Sequence, residues 1–337
     1  MKLGISLGYA DQADLAAADS LVAQAQELGY ESIWSAEAYG ADALTPLGWH
    51  AARTRDLRLG TGIVQMSART PTATAMAAMT LDHLSGGRMV LGLGVSGPQV
   101  VEGWYGQPYA RPLERTREYI GIVRSVMARQ VTVAEGRHYT LPYRPGTGLG
   151  KPLRSSLRPL RPTIPILLGA EGPLNVALAA EIADGWIPAF YSPYDDLVHR
   201  ASLQEGFARR GGAPDDFEIA SLVSVEFGEL EQAADRVRPL LALYIGGMGA
   251  KGANFHYNAF ARLGFEDECR RIQSAYLDGH HAEAIAAVST AMVEKVALVG
   301  PPEKVADELA AWRESLVTTL IVVNGRDKLQ TLAKIAN

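Results

Sequence analysis

The 337-residue chain has one cysteine, Cys269. A single thiol makes neither an internal disulfide nor a thiolate metal cluster, which excludes a disulfide-stapled scaffold and fits a reducing compartment. Positive charge is not in excess either. Lys and Arg number 32 against 37 Asp and Glu, a net charge of −5, so no global field exists to hold a polyanion such as DNA. No apolar run approaches the roughly 18 residues of a membrane span. The opening stretch, Met1 to Leu7, is apolar only briefly before Asp11 and Asp14, and the reading is a cytoplasmic protein. The histidines, His50, His83, His138, His199, His256, His280 and His281, form no H-E-x-x-H or other ligand spacing, so no metal site is predicted. There is no G-x-S-x-G elbow, and Cys269 falls in a charged helical stretch, which disfavours a covalent hydrolase.

What is present is the composition of a soluble globular protein, 47% hydrophobic and 20% charged. The first 95 residues repeat one rhythm: a β-branched or leucine-rich run, a few turn residues, then an Ala-rich amphipathic stretch. That is the pattern of βα units. Leu3–Leu7 reads as a strand, and Asp14–Leu28 as a helix with Leu15, Ala18, Val22 and Ala25 on one face and Gly29 as its stop. Ser32–Ala36, Leu57–Val64 and Met89–Val95 read as further strands. Thr70-Pro71 caps and opens a helix that runs to Gly86-Gly87, and Arg111–Arg129 has a helical apolar face through Leu113, Ile120, Val123 and Met127. Units resume at Ile164–Leu168, Trp186–Phe190, Glu218–Phe227 and Thr319–Val323, with Glu231–Tyr244 helical. Eight strands over this length predict a closed (β/α)8 barrel; an open doubly wound sheet would usually need fewer strands or a linker between domains, and no linker is visible. The barrel is read as a single domain over residues 1–337 with insertions near 130–162 and 246–293.

Several stretches carry candidate chemistry. Gly92-Leu93-Gly94-Val95-Ser96-Gly97 matches G-x-G-x-x-G, but Pro98 follows directly and the strand is the fourth of its series, so a close-approach loop is favoured over a dinucleotide fingerprint. Gly169-Ala170-Glu171-Gly172-Pro173 reads equally as an anion cradle at a helix N-terminus or as an ordinary βα turn. Glu37, Tyr39 and Asp42 follow the second strand, at the face where barrel enzymes keep their chemistry; the alternative is a solvated loop. Trp104 and Tyr105 either cover a planar ligand or pack a loop onto the rim. From Gly136 to Ala170 there is no acid, while Arg137, Arg144, Lys151, Arg154, Arg158 and Arg161 make the stretch basic.

Leu59-Gly60-Thr61-Gly62-Ile63, Asp82-His83-Leu84-Ser85-Gly86-Gly87-Arg88, Leu91-Gly92-Leu93-Gly94, Leu168 to Pro173 and Ala183-Asp184-Gly185-Trp186 together resemble the bacterial-luciferase-like superfamily. Ser96 to Trp104 resembles its branch of oxidoreductases that use the deazaflavin coenzyme F420. The resemblance implies a (β/α)8 barrel, a deazaflavin across the strand ends, and hydride exchange at its C5 carbon with a small substrate bearing an activated C=C or C=N bond. It also implies a non-proline cis peptide, here Gly62–Ile63, that props the ring. Gly62, Ile63, Val64, Ser96, Gly97, Gln99, Gly169, Ala170, Glu171 and Gly172 are then the coenzyme contacts, and Glu37 and Tyr39 the proton-handling groups. Ala38 stands where the superfamily's sugar-phosphate dehydrogenases have a catalytic histidine, which disfavours glucose-6-phosphate oxidation. An FMN-dependent monooxygenase of the same superfamily is the alternative. The partner implied is a small-molecule substrate, with neither nucleic acid nor membrane, and a homodimer is left open.

Overall fold

The computed structural model describes residues 1–8, 17–323, 325 and 327–336. Asp11, Asp14 and Leu15 lie outside the described residues, so the expected Asp14–Leu28 helix is seen as α1, Ala17–Glu27. Eight parallel strands form the barrel: β1 Lys2–Ser6, β2 Ser32–Ser35, β3 Arg58–Thr61, β4 Met89–Gly94, β5 Ile166–Gly169, β6 Gly185–Ile187, β7 Glu218–Phe227 and β8 Thr319–Val323. Each pairs with the next, and β8 pairs back onto β1 through Lys2↔Thr319 to Ile5↔Val322, closing the sheet. All eight strands fall where the hydrophobic runs predict them.

The barrel interior is filled by Trp34, Val90, Leu167, Ile187, Ala220 and Ile321. Trp34 is 1% exposed and bonds through Nε1 to Ser32 Oγ at 2.9 Å. It fits because its neighbour on β3 is glycine: a Cβ on Gly60 would stand 2.3 Å from the indole. Outside the barrel, Ile33, Leu59, Leu91 and Leu168 pack under the helical ring in a second, larger cluster. Strands buried on both faces read as near-continuous apolar runs, as β4 does.

The helices named below are α2 Leu44–Ala51, α3 Pro71–Leu84, α4 Pro98–Gly103, α5 Pro112–Met127 and α6 Pro173–Ile182. Thr70 caps α3, its side chain accepting the Ala73 amide. The anticipated Leu57–Val64 strand is in fact broken. It stops at Thr61 and resumes as Val64–Gln65, which pairs with Leu93 and Gly94. The strand expected over Trp186–Phe190 ends at Ile187. Residues 130–162 carry a small antiparallel hairpin, Ala134–Glu135 with Thr140–Leu141. Residues 246–293 are mainly helical and share a core, including Phe260, Cys269, Ile272 and Val293, with the Leu230–Ala242 helix. A short strand, Leu298–Gly300, extends the sheet beside the end of the long β7 and had no separate signal in the sequence. No described helix is long and apolar enough to cross a membrane.

Candidate functional site

At the C-terminal end of β3 the Gly62–Ile63 peptide is cis, as the resemblance implies. The turn it makes is bound on every side. The Gly62 amide donates to Ser35 O at 2.8 Å, and Ile63 O accepts the Glu37 amide at 3.2 Å. Below it the backbone approach is closed: a Cβ on Gly92 would lie 1.8 Å from Thr61 O, and one on Gly94 would lie 2.7 Å from Ile63 Cδ1. Gly92 and Gly94 of the G-x-G-x-x-G stretch therefore make room for the bulge, which agrees with the close-approach reading. Thr61 Oγ1 completes the seam, accepting the Gly92 amide and donating to its carbonyl, both at 2.8 Å.

Glu37 is 6% exposed and reaches under the same bulge. Its Oε1 accepts the Gln65 amide at 2.8 Å and its Oε2 the Ala43 amide at 3.1 Å. Arg69 Nη1 donates to both oxygens, at 3.0 and 2.9 Å. Gln65 Nε2 in turn holds the carbonyls of Glu37 and Ala38, at 3.1 and 3.2 Å. A carboxylate that accepts this many N–H groups is held as an acceptor, so its geometry is that of a brace. Asp42 starts α2, its Oδ1 accepting the amides of Leu44 and Thr45 at 2.9 Å each. Burial raises its pKa, but those hydrogen bonds and nearby Arg69 outweigh burial and hold it below the ordinary carboxylate range. Arg69 and Gln65 were not singled out in the sequence. The only available hint was their position between the third strand and the Thr70-Pro71 cap.

Tyr39 lies apart from this network. It is 56% exposed, and its hydroxyl lies 3.8 Å from Met248 Sδ. Tyr105 bonds to Ala38 O at 3.3 Å, so it packs its loop onto the rim, whereas Trp104 is exposed. Ser96 follows β4 with φ of 59°, a left-handed conformation that costs a non-glycine residue about 1–2 kcal/mol. Gly97 then starts α4, with Gln99 in its first turn.

Two strands on from β3, Gly169 ends β5, where a Cβ would stand 3.2 Å from Ile63 Cγ2, and Gly172 precedes α6. Among the described residues the amides of Glu171 and Gly172 have no hydrogen-bond partner, and a side chain at Gly172 would meet nothing within 4 Å. Open space, free amides and a helix start are the features that an anion cradle needs. The Glu171 carboxylate turns away, with Oε1 2.8 Å from His256 Nδ1, and Arg262 Nη2 donates to Glu171 O at 3.2 Å. A small, partly open cavity of about 40 Å³ adjoins the turn, walled by Ala170, Phe190, His199 and Arg262 among others. His256 and Arg262 come from the 246–293 segment, and their approach was invisible in the sequence.

The basic stretch is only partly free. Arg161 is paired with Asp82 (Nη2 to Oδ1, 2.7 Å) beside β4's start, and Arg144 with Glu135. Cys269 is buried, and burial followed by Glu268 pushes its thiol up to about 12, so it is inert as a nucleophile.

The chain matches the luciferase-like monooxygenase family over residues 1–319. A Mycobacterium tuberculosis protein that carries the provisional name coenzyme F420-dependent oxidoreductase is 49% identical over 96% of this chain and 95% of its own. The 5,10-methylenetetrahydromethanopterin reductase of Archaeoglobus fulgidus is 25% identical, over 91% and 90% of the two chains. Among solved structures, the coenzyme F420-dependent tetrahydromethanopterin reductase of Methanopyrus kandleri superposes with a TM-score of 0.82 at 21% identity, over 99% of this chain and 97% of that one. An F420-dependent secondary alcohol dehydrogenase gives 0.79 at 15%, over 99% and 97%.

Proposed function

We propose that this chain, which belongs to the luciferase-like monooxygenase family, is a coenzyme F420-dependent oxidoreductase acting on a small organic substrate with an activated C=C or C=N bond. The observation that carries the reading is the buried Glu37 carboxylate, which with Gln65 and Arg69 braces the turn after β3 at the open end of the barrel. The residues present fit the coenzyme. The bulge at Gly62, Ile63 and Val64 is a rigid backing for a planar ring, and the free amides of the Gly169, Ala170, Glu171, Gly172 turn suit its phosphate. Ser96, Gly97 and Gln99 follow the adjacent strand end, that of β4. When bound, the deazaflavin supplies a hydride donor or acceptor at C5 that reacts poorly with oxygen.

The protein's own work is positional and acid–base. Glu37 keeps the bulge fixed, and with its oxygens filled by Arg69, Gln65 and Ala43 it is a positioning residue and not the proton donor that the sequence reading made it. Tyr39, exposed at the mouth with no stronger partner than a thioether, is the phenol free to deliver a proton. Phe190, which lines the cavity with φ of 51° and stacks edge-on with His256 (centroids 5.6 Å), closes the far wall against water. The similar proteins named for F420 support this coenzyme over FMN. The test is titration of the protein with F420 and FMN separately, then anaerobic and aerobic turnover with an electron-poor alkene or imine. Tighter F420 binding with oxygen-independent turnover is expected; FMN binding with oxygen-dependent product would replace the reading by a monooxygenase.

A further inference from the structure

One carboxylate ties the 134–141 hairpin to α5. Glu118 Oε1 accepts the Arg137 amide at 2.8 Å, and Oε2 accepts those of His138 and Tyr139 at 2.9 and 3.0 Å. Gly136 permits this approach, since a Cβ there would stand 2.2 Å from Glu118 Oε2. The same contact delivers the His138 ring to Glu114, which lies one helical turn before Glu118 on the same face. The His138 side chain is only 8% exposed, and its Nε2 lies 3.9 Å from Glu114 Oε2. That is too long for a hydrogen bond, and Nε2 has no other partner. A buried ring nitrogen left unpaired is costly. One ligand atom each from Glu114, Glu118 and His138 lies within 4.8 Å of the others.

We infer that Glu114, Glu118 and His138 form a binding site for a divalent transition-metal ion of the Zn2+ class, which clamps the hairpin to α5. An imidazole nitrogen with two carboxylates suits such ions, water filling the remaining positions. Bonds of about 2.0–2.2 Å require the three groups to draw together, and Glu114, at 40% exposure, is free to make that movement. Glu118 keeps its backbone bonds and offers the second lone pair of Oε1. One opposing charge is Arg111, with Nη1 3.6 Å from Glu114 Oε2; its side chain is 61% exposed and can move into water, and Arg115 acts on neighbouring Tyr139. The spacing rules applied to the sequence missed this set because His138 reaches the helix only through the hairpin.

The test uses the full chain, stripped with EDTA and titrated with ZnCl2 by calorimetry, and with Co2+ by absorbance. One site per chain is expected, with a rise in Tm and a Co2+ ligand-field spectrum. Glu114→Gln, which changes an exposed side chain, and His138→Gln should each weaken Zn2+ binding at least about tenfold, while His280→Gln at a remote exposed histidine should not. The absence of a stoichiometric site, or an affinity unchanged in both Glu114→Gln and His138→Gln, overturns the proposal. Coenzyme binding plays no part in the readout, so the result stands or falls apart from the proposed activity.

Discussion

Arg69 Nη1 bonds to both carboxylate oxygens of Glu37, at 3.0 and 2.9 Å, and so fixes the acid that braces the cis bulge of the barrel mouth. Arg69 itself is held in place from behind: its carbonyl accepts the Tyr119 hydroxyl at 3.2 Å, which links the brace to α5.

Glu37→Ala should therefore destabilise the protein as well as weaken coenzyme binding. It removes the bidentate partner of the half-buried Arg69 guanidinium, leaving only Asp42 at 3.5 Å, and strands the amides of Ala43 and Gln65, a loss of about 3 kcal/mol. Urea denaturation and F420 titration of the same preparation would check this, and Glu37→Gln should lose less in both. An unchanged urea midpoint would deny the brace.

Tyr39→Phe should behave in the opposite way. The hydroxyl makes one long contact to Met248, so stability and coenzyme affinity should hold. Loss of the proton donor should lower kcat by about 100-fold. Single-turnover kinetics with reduced coenzyme separates the two effects.

Two glycines should respond differently to a side chain. Gly172→Val meets open space at an ordinary φ of −80°, so folding should change by less than about 1 kcal/mol, while coenzyme binding falls as the cradle is filled. Gly92→Ala drives its methyl into Thr61 O at 1.8 Å and should cost about 3 kcal/mol or more through overpacking. Thermal melts and coenzyme titration on both variants distinguish a ligand-facing glycine from a packing one.

Acid should attack the barrel at the Arg58–Glu218 pair, which joins β3 to β7 with Nη2 to Oε2 at 2.6 Å. Burial raises the Glu218 pKa, but the Arg58 hydrogen bond and charge overcome burial and leave it below the ordinary range. A depressed carboxylate contributes stability that is present above its unfolded pKa, about 4.3, and is lost as pH falls through the lower folded value. Urea midpoints at neutral pH and across the acid range should converge between wild type and Glu218→Gln on acidification, with the wild type the more stable at neutral pH.

The barrel was legible because a parallel strand buried on both faces tends to be written as an apolar run, and the eight runs are short and bounded by turn residues. Thr70-Pro71 and Gly172-Pro173 announced helix starts for an equally local reason: a cap or a ring constraint acts within one turn. The cis bond and the proposed coenzyme contacts were reached through family resemblance, and composition or periodicity alone left the Gly169 turn undecided. Tertiary structure decided the rest. Arg69 finds Glu37 across 32 residues, His256 finds Glu171 across a helical insertion, and His138 finds Glu114 across a hairpin. A side chain's partner depends on where the folded backbone delivers it, and sequence spacing records that only within a single helix or turn. For the same reason the groups that fill the Glu37 carboxylate, on which its proposed role as a brace rests, were not visible from its place after the second strand.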